Sequence, residues 1–181
     1  MTSAAEDRTL VLVRHAKAEQ GGYDADHERE LTDRGQRDAV AAGRWLCDQG
    51  IGVDEVFCST AVRAVQTCEG IWSAGCSEAD IREEHRIYDA SADRLLEVVR
   101  EADDDANVVM LVGHAPGIPA LASILAEGDG SEQAHELMSR GYPTAGVAVL
   151  RFSGRWGDLA AGIARLDRFH VARAERAPAE G

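Results

Sequence analysis

The sequence predicts an α/β fold in which helices are layered on a largely parallel sheet. Three observations carry that expectation. Short apolar runs at residues 9–13, 55–58 and 108–112 have the length and composition of buried strands. Segments with helical spacing lie between them. The first run stops at Arg14-His15, and the other two stop at a small or polar residue followed by helix-start chemistry, the place where parallel α/β proteins gather their sites.

The elements follow in chain order. Residues 1–8 are polar and acidic; they read as a frayed leader and not as a secretory signal. The first strand covers 9–13. Residues 16–35 form a loop ending in Thr32-Asp33-Arg34-Gly35, which can start a helix. That helix runs over 36–49, with Ala39, Ala42, Gly43 and Leu46 on one face and Gly50 closing it. The second strand is 55–58, and Ser59 or Thr60 can cap the next helix. There Val62, Val65, Cys68 and Trp72 fall near one face and Arg63 and Thr67 share another.

A small-residue loop at 73–80 leads to a short strand at 81–83. Ser91 caps a helix over 93–101, with Leu95, Leu96 and Val99 inward. The strand 108–112 precedes Pro116, which opens a helix whose core face is Ile118, Leu121, Ala122 and Leu125. Residues 127–145 are polar and glycine-rich and read as a surface excursion. Residues 147–152 and 159–164 read as a closing hairpin. One domain therefore spans 9–167, and 168–181 is a flexible tail.

Composition bounds the function. The 181 residues are 45% hydrophobic and 28% charged, enough for one sizeable core. A net charge of −13 disfavours nucleic acid and anionic membranes as partners, since both select a basic face. No window reaches the roughly 18 apolar residues of a membrane span. Cys47, Cys58, Cys68 and Cys76 have no CxxC spacing. They read as small core residues of a reduced, cytoplasmic protein with no zinc site.

Chemistry concentrates at three strand ends. Leu12-Val13-Arg14-His15-Ala16 puts an arginine beside a histidine. A guanidinium binds phosphate through a planar fork of donors, and a neutral imidazole can attack phosphorus. The segment 58–67, CSTAVRAVQT, places Arg63 in the first turn of a helix, whose amino end favours anions. Gly113-His114-Ala115-Pro116-Gly117 repeats the strand–histidine–helix pattern. His27, His85, His135 and His170 lack such contexts and read as surface or structural. The tryptophans Trp45, Trp72 and Trp156 read as packing residues.

In this order, LVRHAKAE, CSTAVRAVQT and LVGHAPGI resemble the motifs of the histidine phosphatase superfamily, which includes the phosphoglycerate mutases. The resemblance covers about residues 8–165. It implies a three-layer α/β/α sandwich of the phosphoglycerate mutase-like kind. It implies that His15 is a nucleophile that becomes phosphorylated, that Arg14, Arg63 and His114 bind the phosphoryl group, and that neither metal nor cofactor takes part. The short chain and Arg-His-Ala-Lys-Ala-Glu at 14–19 resemble the SixA-type phosphohistidine phosphatases, whose substrate is a phosphorylated histidine of a signalling protein.

Many larger members carry a glutamate acid between the second and third motifs, and residues 82–91 do not match it. Glu83, Glu84 and Glu19, four residues after His15, are the candidate acids. A phosphoramidate leaves readily once its nitrogen is protonated, so a weak acid favours that substrate. The partner implied is a phosphorylated protein or a small phosphorylated metabolite. The alternatives are a small-molecule phosphomonoesterase, a phosphoglycerate mutase-like enzyme and a low-turnover phosphate-binding module.

Overall fold

Residues 10–13 of the first strand are buried on both faces, as an interior strand of a covered sheet must be. The computed structural model describes residues 6–75 and 77–175. Six strands form one sheet: β1 (Asp7–Arg14), β2 (Glu55–Cys58), β3 (Ile81–Glu83), β4 (Val108–Gly113), β5 (Gly146–Ser153) and β6 (Arg165–Val171). Their spatial order is β3-β2-β4-β1-β5-β6. The pairs β3–β2, β2–β4 and β4–β1 are parallel, whereas β5 runs antiparallel to both β1 and β6.

Alternation along β1 divides the core in two. Val11 and Val13 meet α1 (Asp33–Asp48) and α2 (Val62–Ser73) through Ala39, Leu46, Ala64 and Ile71. Leu10 and Leu12 belong to the cluster on the opposite face. That cluster contains Leu95 of α3 (Ala92–Val99), Leu121 and Leu125 of α4 (Gly117–Ala126), and Ala134 of α5 (Glu132–Ser139). The result is the three-layer α/β/α sandwich.

The ends of the domain differ from expectation. β1 begins at Asp7, and Arg8 is buried, not part of a frayed leader. Its guanidinium donates to Gly154 O and Ala106 O, each at 2.6 Å, which satisfies the buried donors. Residues 1–5 of the expected leader lie outside the described residues. The hairpin returns along 165–171, not 159–164, because a short 3-10 turn at Trp156–Asp158 lengthens the connection. The expected tail is therefore strand as far as Val171, and the Ala174 amide is held by Asp38 at 2.9 Å. Residues 176–181 lie outside the described residues.

Two further expectations are corrected. The excursion at 127–145 contains α5, capped by Ser131, whose hydroxyl accepts from the Ala134 amide at 3.2 Å. Cys47 is disulfide-bonded rather than a lone core thiol, since spacing along the chain does not report which loops the fold brings together. Cys58 and Cys68 are free and buried, and Cys76 lies outside the described residues. No helix among the described residues is long and apolar enough to cross a membrane.

Candidate active site

Register places the two histidines together. β1 and β4 pair with Arg14 opposite Gly113, so the residues that follow, His15 and His114, leave the sheet side by side. The His15 amide donates to Gly113 O at 3.0 Å, and the two rings lie 5.1 Å apart. Gly113 leaves little room for a side chain at this join. A Cβ there would stand 3.0 Å from Ile87 and 3.3 Å from Ile118, both buried.

The helix α2 supplies the cation. Its inward face carries Arg63, Ala64, Thr67, Cys68 and Ile71; of the expected face of Val62, Val65, Cys68 and Trp72, Cys68 is buried and the other three are half-buried. Thr67 ties this helix to the loop that follows β1. Its hydroxyl accepts from the Ala16 amide at 3.0 Å and donates to Arg63 O at 2.7 Å. Ser59 and Thr60 are not conventional side-chain caps, since the N-cap is Ala61. Their hydroxyls turn toward the site: Ser59 Oγ lies 2.7 Å from His114 Nε2, and Thr60 Oγ1 lies 2.8 Å from His27 Nε2.

Hydrogen bonding fixes the tautomer of His15. His15 Nδ1 lies 2.7 Å from Ala16 O, an acceptor only, so Nδ1 carries the proton and Nε2 holds the lone pair. Arg63 Nε–H donates to that Nε2 at 3.3 Å. Burial first, then the charges of Arg63 and Arg14, lower the His15 pKa to about 4, against the opposing effect of the Ala16 hydrogen bond. Burial, with His15 and Arg63 beside it, lowers His114 to about 3. Both imidazoles are neutral at pH 7. Ser59 Oγ accepts from the Ala61 amide at 3.3 Å and is hydrogen-bonded to His114 Nε2.

A carboxylate from another segment completes the cluster. Asp26, on a 3-10 turn at Tyr23–Glu28, accepts from Arg63 Nη2 at 3.2 Å and from the Tyr88 hydroxyl at 2.5 Å. Its backbone oxygen accepts from Arg63 Nη1 at 2.6 Å. The Tyr88 hydrogen bond, then Arg63 and Arg29, hold Asp26 below the usual carboxylate range despite some desolvation. Glu19, by contrast, is exposed, and its amide donates to Glu30 O at 2.8 Å. Glu84 caps the turn at His85–Ile87 and pairs with Arg86 at 2.8 Å, which pulls its pKa down to about 2. Glu83 is exposed at the end of edge strand β3. The carboxylate that meets the cluster is therefore Asp26 and none of the three candidates.

Arg14, His15, Arg63 and His114 are thus brought together, and three buried side-chain nitrogens around them have no partner among the described residues: Arg14 Nε, Arg29 Nε and His114 Nδ1. Unpaired buried N–H groups are costly unless a ligand meets them. Asp26, Arg29 and Tyr88 were missed from the sequence. His27, read as surface or structural, is exposed at the rim, with its ring 5.0 Å from that of Tyr88. The Asp26-x-x-Arg29 spacing was the one local signal, since it matches an i,i+3 ion pair, here 3.3 Å long.

Neutral His15 makes stability pH-dependent. Its folded pKa lies below the unfolded value of 6.5, so its contribution is complete above pH 6.5 and is lost as pH falls toward 4. Between pH 7 and 5 this amounts to about 2 kcal/mol. Urea unfolding of the wild type and His15→Gln at both pH values should show a smaller loss in the variant by that amount. Equal losses would contradict a buried neutral His15.

Known proteins place the geometry in context. A family model described as the histidine phosphatase superfamily (branch 1) matches residues 10–89. An uncharacterized protein of Mycobacterium tuberculosis is 41% identical over 164 residues, spanning 89% of this chain and 100% of that protein. The solved structure of a candidate phosphohistidine phosphatase SixA from Nakamurella multipartitia is 37% identical, with a TM-score of 0.81 over 94% of this chain and 99% of that one. A like-named structure from Agrobacterium tumefaciens is 27% identical, with a TM-score of 0.75 over 90% and 97% of the two chains.

Proposed function

From the premise that this chain belongs to the histidine phosphatase superfamily, we propose that it is a phosphohydrolase that removes phosphate from phosphohistidine on a protein through phosphorylated His15. The observation that carries the reading is the convergence of the unpaired N–H groups of Arg14 and Arg29, with His114 Nδ1 beside them, around a neutral His15. Such donors suit the equatorial oxygens of a transferring phosphoryl group.

In the first step Arg63 Nε–H turns from His15 Nε2 to a phosphoryl oxygen. The Nε2 lone pair then forms the new P–N bond while the substrate's P–N bond breaks toward its own imidazole. That imidazole nitrogen leaves protonated, having taken a proton from solvent. In the second step a water oxygen attacks phosphorus, one water proton passes to Asp26, and the bonding pair returns to Nε2. Asp26 suits the second step because Tyr88 and the arginines keep it ionised. For the same reason it is a poor proton donor in the first, which favours a phosphoramidate over an alkyl ester. Arginines supply the positive charge that a metal would otherwise bring.

Cytoplasmic placement belongs to the same proposal. It rests on the free thiols of Cys58 and Cys68, while the Cys47 disulfide weighs the other way.

The test compares kcat/KM for phosphohistidine protein, phosphoramidate, para-nitrophenyl phosphate and 3-phosphoglycerate. The P–N substrates should lead by about tenfold or more, vanadate should inhibit, and a chelator should leave the rate unchanged. Preference for an alkyl phosphate, or isomerised phosphoglycerate as product, would overturn the proposal.

A further inference from the structure

Arg14 belongs to two sites. It ends β1 directly before His15, and its Nη1 donates to Tyr142 O at 2.9 Å. It also lines a cavity of about 610 Å³ with Leu137, Arg140, Tyr142, Phe169 and Val171. This volume lies in the range of ligand-binding cavities. Its walls come from α5, the segment after it, and β6, elements that the three sequence motifs do not include.

The lining has a distinct charge. The chain carries a net charge of −13, yet two arginines and no carboxylate line this cavity. The apolar wall is firm: the Tyr142 hydroxyl donates to Leu12 O at 2.6 Å, and its ring packs edge-on against Phe169 at 4.9 Å. Among the described residues Arg140 pairs with Glu136 alone, at 2.6 Å, and both side chains are exposed, so an incoming anion displaces a weak contact. The cavity therefore suits a group that is apolar along its body and acidic at its far end.

We propose that this cavity is the subsite for the residues flanking phosphohistidine on the protein substrate, with an apolar side chain against Leu137, Phe169 and Val171 and an acidic one at Arg140. The inference rests on the phosphohistidine reading above. The flanking residues of the substrate chain are the groups that arrive with the phosphoryl group, and a phosphoimidazole alone leaves this space unfilled. Arg14 couples the two, since its guanidinium serves the phosphoryl group at one end and borders the cavity at the other.

The test uses two phosphohistidine peptides of equal length, one flanked by leucine and glutamate and one by serine and lysine, with phosphoramidate as the probe that has no flank. The wild type should favour the leucine–glutamate peptide by about tenfold in kcat/KM. Leu137→Ser and Arg140→Glu, both at exposed positions outside the catalytic cluster, should each erase most of that preference. Arg140→Glu should favour the lysine peptide, and both variants should hydrolyse phosphoramidate at the wild-type rate.

Equal kcat/KM for the two peptides, or a matching loss on phosphoramidate, would overturn the subsite and leave the phosphohistidine reading standing. A small organic phosphate that outperforms both peptides and loses its advantage in Arg140→Glu would give the cavity to a metabolite and overturn the peptide assignment. Turnover of phosphomonoesters with none of phosphoramidate or either peptide would remove the phosphohistidine reading and the subsite together.

Discussion

His15→Ala should abolish turnover and, with it, acid-labile labelling of the protein by a radioactive phosphoryl donor. The buried Nε2 carries the lone pair, because Nδ1–H is committed to Ala16 O. No other side chain in the cluster can take over. His114 has Nε2 engaged with Ser59 Oγ, 2.7 Å away. The loss in kcat is at least roughly 10³-fold, the scale for removing a nucleophile that acts with its partners as one unit. Thr67 still ties the Ala16 amide to α2, so the variant should unfold cooperatively, as the wild type does. Catalysis within tenfold of the wild type, or a label that persists on the protein, would eliminate His15 as the covalent residue.

The second large effect belongs to Arg63. Its Nε faces His15 Nε2, and its two terminal nitrogens hold Asp26. Arg63→Ala removes a transition-state donor and frees the Asp26 carboxylate beside the incoming phosphoryl group. One such donor is worth about 10²–10³ in kcat, and the uncompensated carboxylate should also weaken vanadate binding. Arg63→Lys returns the charge without the fork of N–H groups and should recover only a minor part of the loss. Full recovery by lysine would mean that Arg63 acts as a point charge and not through its three directed bonds.

How far these features were legible depended on the range of the interaction behind each one. Strands β1, β2 and β4 announced themselves because each is a continuous apolar run covered on both sides. Helix α5 did not, because Ala134 is its only buried residue, so it shows no apolar stripe. Strand β6 hid behind Arg165, Asp167 and Arg168, charges that suit an edge strand and dilute its alternation. At the site, Arg14, His15, Arg63 and His114 stood next to strand ends that the sequence displays. Asp26 and Tyr88 come from different loops, 62 residues apart, and only the folded chain joins them to Arg63. The search for an acid near His15 in sequence therefore settled on Glu19, while the carboxylate was delivered from a turn further along the same loop.

The inverted strand β5 has a consequence for the order in which this molecule can be assembled. Beside β1 on one side lies β4, and on the other lies β5, which returns the chain so that the Ala145 amide closes on the carbonyls of Arg14 and His15. Arg14 finds its backbone acceptor, Tyr142, 128 residues further along the chain. Closing so long a loop is slow relative to local helix formation. A nascent chain carrying all three phosphate-binding motifs still has β1 as an open edge. The catalytic loop is encoded early and finished late: its geometry is set only when the sheet acquires a strand that itself carries no catalytic residue.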